Sequence, residues 1–385
     1  MKVLYVSKAS VVEAYRDKLD ALAAHVSLTA IVPEQWGAQR TSIGERDTGD
    51  DVAAMRTARA LFHGHNHFHV YRDAAGLLRD AAPDIVHIDE EPYSAVSFQL
   101  ARVCRRAGVP FLFFAWQNLD KQLPPPFGLM RRHVFAHAAA AIAGSDAAAR
   151  VLHRAGWRGV TAVIPQVGVS PARFHPDAAQ RAQVRARLGI APDAFVAGFA
   201  GRLVQEKGVD LLLDAAVWLD GAHVIVIGAG PERARLVRRA LDLGMAARTH
   251  FVSAVPSTEM PVWLNALDLL VLPSRSRRGW VEQFGRVLVE AMACGVAVAG
   301  AESGEIPTVI GDAGVTFPEE DAAALRVLLE NLRDSPEQRR TLGSRGRARA
   351  LDHFTNERIA RDTVAVYERV LHGPVPVPGA AWAST

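Results

Sequence analysis

Short apolar runs alternate with stretches whose apolar residues recur every three or four positions, along most of the chain. Runs of the first kind predict buried strands and stretches of the second kind predict amphipathic helices. Val3 to Val6 reads as a strand, followed by a helix over Glu13 to Ala24 and a second strand over Leu28 to Val32. Asp84 to Ile88 is a strand followed by a helix over Ala95 to Ala107, and Phe111 to Ala115 and Ala139 to Ala143 continue the series. The pattern then restarts. Phe195 to Ala200 predicts a strand and Val209 to Leu219 a helix. His223 to Ile227, Thr249 to Val252, Leu269 to Leu272 and Val296 to Ala299 predict further strands. Strands alternating with helices imply α/β structure, with parallel sheets covered on both faces.

Between the two series lies VIPQVGVSPARFHP, rich in Pro and Gly and with little helical pattern. It places a domain boundary near residue 170. The expected organisation is two Rossmann-like doubly wound domains facing a central cleft. Residues 1–170 form the first and 171–355 the second, a helix over 356–372 returns to the first, and a flexible tail covers 373–385. In such sheets ligands sit beyond the carboxyl ends of the strands.

Composition narrows the function classes. The chain has 385 residues, 49% of them apolar and 22% charged, so it can bury two cores of ordinary size. A net charge of +3 gives no argument for nucleic acid. Two cysteines, Cys104 and Cys294, both in apolar helical patterns, exclude a disulfide framework or a cysteine-based zinc site. The first residues read as a strand rather than a signal peptide, and no run reaches the ~18 apolar residues of a membrane span. The expected location is the cytoplasm, with peripheral contact at the inner face of the membrane as an open alternative.

Three segments carry candidate chemistry. In Glu282-Gln-Phe-Gly-Arg-Val-Leu-Val-Glu290 a helix is expected from Phe284 to Met292, with Glu282 before it and Glu290 two turns in. A helix start offers free N–H groups and partial positive charge, suited to a diphosphate. A carboxylate can accept hydrogen bonds from neighbouring sugar or ribose hydroxyls. In the second segment, Gly201-Arg-Leu-Val-Gln-Glu-Lys207-Gly, Arg202 and Lys207 lie on a loop after a strand, where two cations can neutralise a leaving diphosphate. The third, Glu302-Ser-Gly-Glu-Ile-Pro, offers the backbone amides of Ser303 and Gly304. Alone, each has a plain alternative: a capped helix, a solvated basic loop, a strand-to-helix turn. Their coincidence on one rim of one sheet favours a site.

On these residues the sequence resembles the retaining GT-B glycosyltransferases, specifically the large fourth family of them, the glycosyl transferases of group 1. Two glutamates seven residues apart, GRL…EKG, VIPQVGV…RF, LDLLVLPS and SGEIPTVIGDAG carry the resemblance, from about residue 139 to 318; it is looser over 1–138. The resemblance implies a nucleotide diphosphate-sugar donor, UDP- or GDP-linked, retention of anomeric configuration, and no metal or other cofactor. It implies that Arg202 and Lys207 contact the diphosphate and that Glu282 binds sugar hydroxyls. The amides at Phe284 and Gly285 would touch sugar or phosphate, and Glu290 the ribose. Gly201, Gly228, Val252, Ser303 and Gly304 are further donor-side candidates. Gln117 stands near the place of a histidine common in the family, and it cannot act as acid or base. Ser7-Lys8-Ala9-Ser10 replaces a Gly-Gly loop, and Thr308 stands where Glu is frequent. Acceptor-side candidates are Lys8, Asp89, Glu90, Trp116, Asn118 and His67. The acceptor class is a saccharide, a natural product or a lipid-linked hydroxyl.

Other features admit competing readings. In a strand His63, His65, His67 and His69 would share one face, but no carboxylate or cysteine accompanies them at metal-ligand spacing; a loop or strand lining the acceptor cleft fits better than a metal site, and crowded surface histidines better still. Gly228-Ala-Gly230 lacks the third glycine of a dinucleotide fingerprint, which would fall at Arg233. Asp89-Glu90-Glu91 suits a hydroxylated acceptor better than a metal. Phe127 to Phe135, with Arg131 and Arg132, is a short basic amphipathic helix that packs on its own domain or touches lipid. The alternatives to sugar transfer are a nucleotide-sugar epimerase, a sugar phosphorylase on the same architecture, and a sugar-nucleotide-binding protein without turnover.

Overall fold

The computed structural model describes residues 1–37, 39–41 and 53–373. The chain divides into two compact units, Met1–Val167 together with the segment from Asn356, and Gly168–Thr355. The expected tail lies, from residue 374, outside the described residues.

The first unit is built on a seven-stranded sheet. Its order is Val160–Val163, Ala140–Ala143, Phe111–Ala115, Ile85–Ile88, Lys2–Val6, Ser27–Pro33 and Ala54–Ala58, with every pairing parallel. Ile85–Ile88 and Phe111–Ala115 are buried along their whole length, as continuous apolar runs covered on both faces require. One face packs against Val96, Leu100, Cys104, Leu152 and Trp157. The other packs against Leu19, Leu22, Ile359, Ala360, Val366 and Tyr367, so the helix Asn356–His372 completes this unit's core. Tyr367 Oη lies 2.7 Å from Nδ1 of the buried His87.

The helix expected from Glu13 to Ala24 is shorter. Two 3-10 turns, Ala9–Val11 and Glu13–Tyr15, precede an α-helix over Asp17–Ala23 only. The physical reason is Arg16, whose buried guanidinium donates to the carbonyls of Ser10 (2.9 Å) and Val11 (3.1 Å) and fixes the turns. The histidine run is not a strand either. It occupies the loop of a small antiparallel hairpin between Ala60–Leu61 and Val70–Tyr71, in which only His69 of the four is buried, so the four do not share a face.

The second unit has a six-stranded parallel sheet in the order Thr249–Val252, His223–Ile227, Val196–Ala200, Leu269–Leu272, Ala297–Ala301 and Val315–Phe317. The helix from Val209 stops at Ala216 rather than Leu219. Arg248 takes the carbonyls of Ala216, Val217, Leu219 and Ala222, which draws the chain out of the helix. Arg185 is buried and donates to the carbonyls of Ala266, Pro192 and Ala194 and pairs with Asp268 at 2.8 Å. The unit's first and last residues run side by side, with Val169 N donating to Phe354 O at 2.9 Å.

Candidate functional site

Each sheet has one topological switch point, where successive strands are added first on one side and then on the other. In the first unit it falls between Lys2–Val6 and Ile85–Ile88, in the second between Val196–Ala200 and Leu269–Leu272. Loops leaving the carboxyl ends of such a pair diverge and leave a crevice. The candidate residues of both units cluster at these two places.

In the second unit, the loop after Ala200 carries exposed Arg202 and, on the 3-10 turn Gln205–Lys207, Lys207. It is stitched to the end of the neighbouring strand. Arg275 N donates to Glu206 O at 2.8 Å, and Gly208, at φ +63°, lies so close to Pro273 O that a Cβ would sit 2.0 Å from it. This contact brings Lys207 Nζ to 2.5 Å from Glu282 Oε2, which also accepts from Ser274 Oγ at 2.9 Å. Glu282 is 7% exposed, so its carboxylate is held by the protein and still borders solvent.

The helix after Glu282 covers Arg286–Ala293, two residues later than its apolar spacing predicts. Gly285 is in the left-handed conformation (φ 78°) and caps it, while Phe284 turns inward onto Phe354. Glu290 lies buried on this helix, with Arg286 Nε 2.7 Å from its Oε1. Burial raises the Glu290 carboxyl above its ordinary range, and Arg286 and then Arg173 oppose the shift. Gly304 closes the loop from the other side. A Cβ there would meet Glu282 O at 2.0 Å, and Glu305 N donates to that same oxygen at 3.1 Å. Ser303 is buried, with its Oγ 3.2 Å from Ser276 Oγ. Gly201 and Gly228 meet backbone to backbone: a Cβ on Gly228 would lie 1.9 Å from Gly201 O. Gly228 N also donates to Val252 O at 3.0 Å. The glycines of Gly228-Ala-Gly230 therefore serve close loop packing, and a dinucleotide fingerprint is not needed to account for them.

In the first unit three successive acids tie three neighbouring segments. Asp89 accepts from Ser7 Oγ (2.7 Å) and Gln166 Nε2 (3.1 Å) and lies 3.8 Å from Lys18 Nζ. Glu90 holds both the backbone N–H and the ammonium of Lys8. Glu91 Oε1 accepts from the N–H groups of Trp116 (2.8 Å) and Gln117 (2.9 Å). Burial alone would raise the Asp89 carboxyl, but Lys18, His87, Ser7 and Gln166 outweigh it and hold it below its ordinary value. Burial pushes Glu91 up to about 7. Asp89 and Glu90 are thus engaged inside the unit, where they join the strand ends. Gln117 Nε2 is turned back onto Leu119 O at 2.8 Å, and the Trp116 ring covers Gly144, where a Cβ would fall 1.7 Å from it. Asn118 follows on the same loop, part-buried. His67 stands on the hairpin loop, its ring packed beside Tyr93 and Phe127. Among the described residues no group of three or more His, Cys, Asp or Glu is arranged to hold a metal ion, and no helix is long and apolar enough to cross a membrane.

Reasoning from sequence missed Ser274, Arg286 and Lys18. Ser274 had a positional signal, since it follows a strand at a switch point. Lys18 had none, because its acidic partner Asp89 lies 71 residues further along the chain.

Residues 180–349 match the family model described as glycosyl transferases group 1. Over 323 residues the chain is 30% identical to a D-inositol 3-phosphate glycosyltransferase of Mycobacterium marinum, covering 77% of this chain and 67% of that protein. It is 34% identical over 195 residues to the GDP-mannose-dependent alpha-(1-6)-phosphatidylinositol monomannoside mannosyltransferase of Mycolicibacterium smegmatis. That match covers 49% of this chain and 51% of that protein. The chain spans about half the length of several such curated relatives. Among solved structures, Anabaena Alr3699/HepE in complex with UDP superposes with a TM-score of 0.76 at 20% identity, over 96% of this chain and 100% of that one. WaaG, a glycosyltransferase involved in lipopolysaccharide biosynthesis, superposes at 0.65 and 17%, over 97% and 100%. At these identities the structures show the fold alone, two Rossmann-like parallel-sheet units of the GT-B class. The curated match over most of its length and the family model together show that this chain belongs to the glycosyl transferases of group 1.

Proposed function

We propose that the chain is a retaining glycosyltransferase that moves a sugar from a UDP- or GDP-linked donor to a hydroxyl of an acceptor. The observation that supports this most is the Lys207–Glu282 pair at a switch point, beside the start of the helix Arg286–Ala293. A diphosphate needs cations and amide donors, and a sugar needs carboxylate acceptors; here both stand within one hydrogen bond of each other.

In this reading Arg202 and Lys207 neutralise the diphosphate, and the amides at Phe284 and Gly285 bind sugar or phosphate. An arriving diphosphate draws Lys207 from Glu282, whose carboxylate then accepts sugar hydroxyls. Glu290, oriented by Arg286, accepts from the ribose hydroxyls. The departing phosphate oxygen takes the acceptor's proton on the same face of the sugar, so no metal or cofactor enters the reaction. Acceptor-side roles fall to Lys8, Asp89, Glu90, Trp116, Asn118 and His67 of the first unit, and Gln117 hydrogen-bonds a donor hydroxyl or the acceptor at the reacting end.

Acceptor classes named for the relatives, inositol phosphate and phosphatidylinositol mannoside, are the first to try. We place the chain in the cytoplasm; peripheral contact at an anionic membrane is supported by two packed helices, Ala95–Ala107 and Phe127–His137. They contain Arg102, Arg105, Arg106, Arg131 and Arg132 and no acid. Leu129 (59%) and Phe68 (52%) are exposed, and Phe68 packs on Phe127.

The test is nucleotide release from UDP- and GDP-sugars with and without an acceptor panel, for the wild type, Glu282→Ala and Arg202→Ala. Acceptor-dependent release, lost in both variants with the fold kept, is the expected result. Unchanged rates in both would refute the site. A sugar altered with no acceptor present would identify an epimerase, and binding without turnover a sugar-nucleotide-binding protein.

A further inference from the structure

Residues 273–285 connect the strand Leu269–Leu272 to the helix Arg286–Ala293 and contain a tight turn not used above. Arg277 N donates to Trp280 O at 2.9 Å and Trp280 N to Arg277 O at 3.0 Å, with Gly279 at φ +85°. The base of the turn is tied by carboxylates. Glu319 accepts from Ser276 N (2.7 Å) and Oγ (2.6 Å), Glu320 pairs with Arg277 at 2.6 Å, and Asp210 pairs with Arg275 at 2.7 Å. So tethered, the turn presents the part-buried Trp280 ring to Lys207, with Nζ 5.4 Å from the ring. The same ammonium lies 2.5 Å from Glu282 Oε2.

An ammonium on a four-carbon stem has much rotamer freedom to lose before it can meet a phosphate at one place. An indole face restrains it electrostatically and takes up none of its N–H donors. A second carboxylate at that position would also restrain it, but would repel the diphosphate. We propose that Trp280 is a positioning residue of the donor site, whose indole face holds the Lys207 ammonium where the donor diphosphate takes it over from Glu282. The proposal rests on the donor-site reading above.

The experiment is calorimetric titration of UDP and of GDP into the wild type, Trp280→Phe, Trp280→Leu, Lys207→Met and the double variant Lys207→Met/Trp280→Leu. Trp280→Leu is expected to weaken binding about two- to five-fold, the range for a partly exposed cation–π contact. Trp280→Phe, which keeps an aromatic face, is expected to restore most of the loss. In the Lys207→Met background, Trp280→Leu is expected to change nothing further, because the partner is gone. Equal losses from Trp280→Leu with and without Lys207, or no rescue by Phe, would overturn the proposal. Unchanged nucleotide affinity in Lys207→Met would instead overturn the donor-site reading beneath it. Should Trp280→Leu not fold, Trp280→Met, with comparable bulk and no ring, replaces it in both arms.

Discussion

Glu91→Gln isolates the energetic weight of one carboxylate at the rim of the first sheet. Glu91 receives the N–H groups of Trp116 and Gln117, and Lys8, Glu90 and Tyr93 lie near enough to interact with it electrically. Burial is the largest influence, and it moves the carboxyl from 4.5 to about 7 despite the two N–H donors and Lys8. A raised folded-state value means that the folded protein binds this proton more tightly than the unfolded chain does. Stability from this group is therefore fully present below about 4.5 and is lost as pH rises toward 7. From a shift between 4.5 and about 7, the loss between pH 5 and pH 8 is on the order of 2 to 3 kcal/mol. Gln keeps an oxygen for the two N–H groups and has no proton to release. The stability of Glu91→Gln relative to wild type should thus move in favour of the variant by that amount from pH 5 to pH 8. Urea unfolding at both pH values, followed by a probe confined to the first unit, reads it, and carboxyl 13C NMR gives the titration directly. Parallel pH dependence of the two proteins would refute the reasoning.

Three further outcomes are expected. Arg286→Leu removes the cation that opposes the rise of Glu290, so nucleotide affinity should begin to fall at a higher pH on acidification than in wild type. Titrating Kd for UDP and GDP between pH 5 and pH 8 measures the displacement. Gly304→Ala puts a Cβ 2.0 Å from Glu282 O at a φ of +55°; displacement of the Glu282 loop should weaken nucleotide binding about tenfold or more, with circular dichroism unchanged. Arg102→Glu combined with Arg105→Glu and Arg132→Glu should abolish co-sedimentation with vesicles rich in anionic lipid and leave binding to neutral vesicles as it is. Wild-type protein that ignores lipid charge would contradict the membrane reading.

The parallel strands were legible because their apolar runs are continuous: Phe111–Ala115, His223–Ile227, Thr249–Val252 and Leu269–Leu272 have the boundaries read from sequence. Helix ends were less so. Arg16 and Arg248 end or break helices by reaching carbonyls from outside the local pattern, and apolar periodicity carries no trace of such a contact. The meeting of Lys207 with Glu282 was expected only as two features on one rim; the direct bond depends on Gly208 lying against Pro273, a contact between distant segments. At the histidine run spacing alone leaves loop and strand open, and Phe62 at φ 56° and Gly64 at φ 89° turn the chain into a loop. Nothing local in Asp89 and Glu90 indicates their contacts with Ser7, Lys8 and Lys18, which come from distant segments.

The helix Asn356–His372 has a consequence for how the molecule comes into being. Ile359, Ala360, Val366 and Tyr367 line a core whose other members are drawn from residues up to Ile164, and the whole of the second unit is encoded in between. On the ribosome, the first segment emerges with one face of its sheet only partly covered and must wait for a piece synthesised almost two hundred residues later. The second unit has no such delay, since it is one continuous segment, Gly168–Thr355. Synthesis therefore presents the units in one order and completes them in the other. During that interval the exposed apolar face beside Leu19 and Leu22 is the part of this protein most in need of a chaperone.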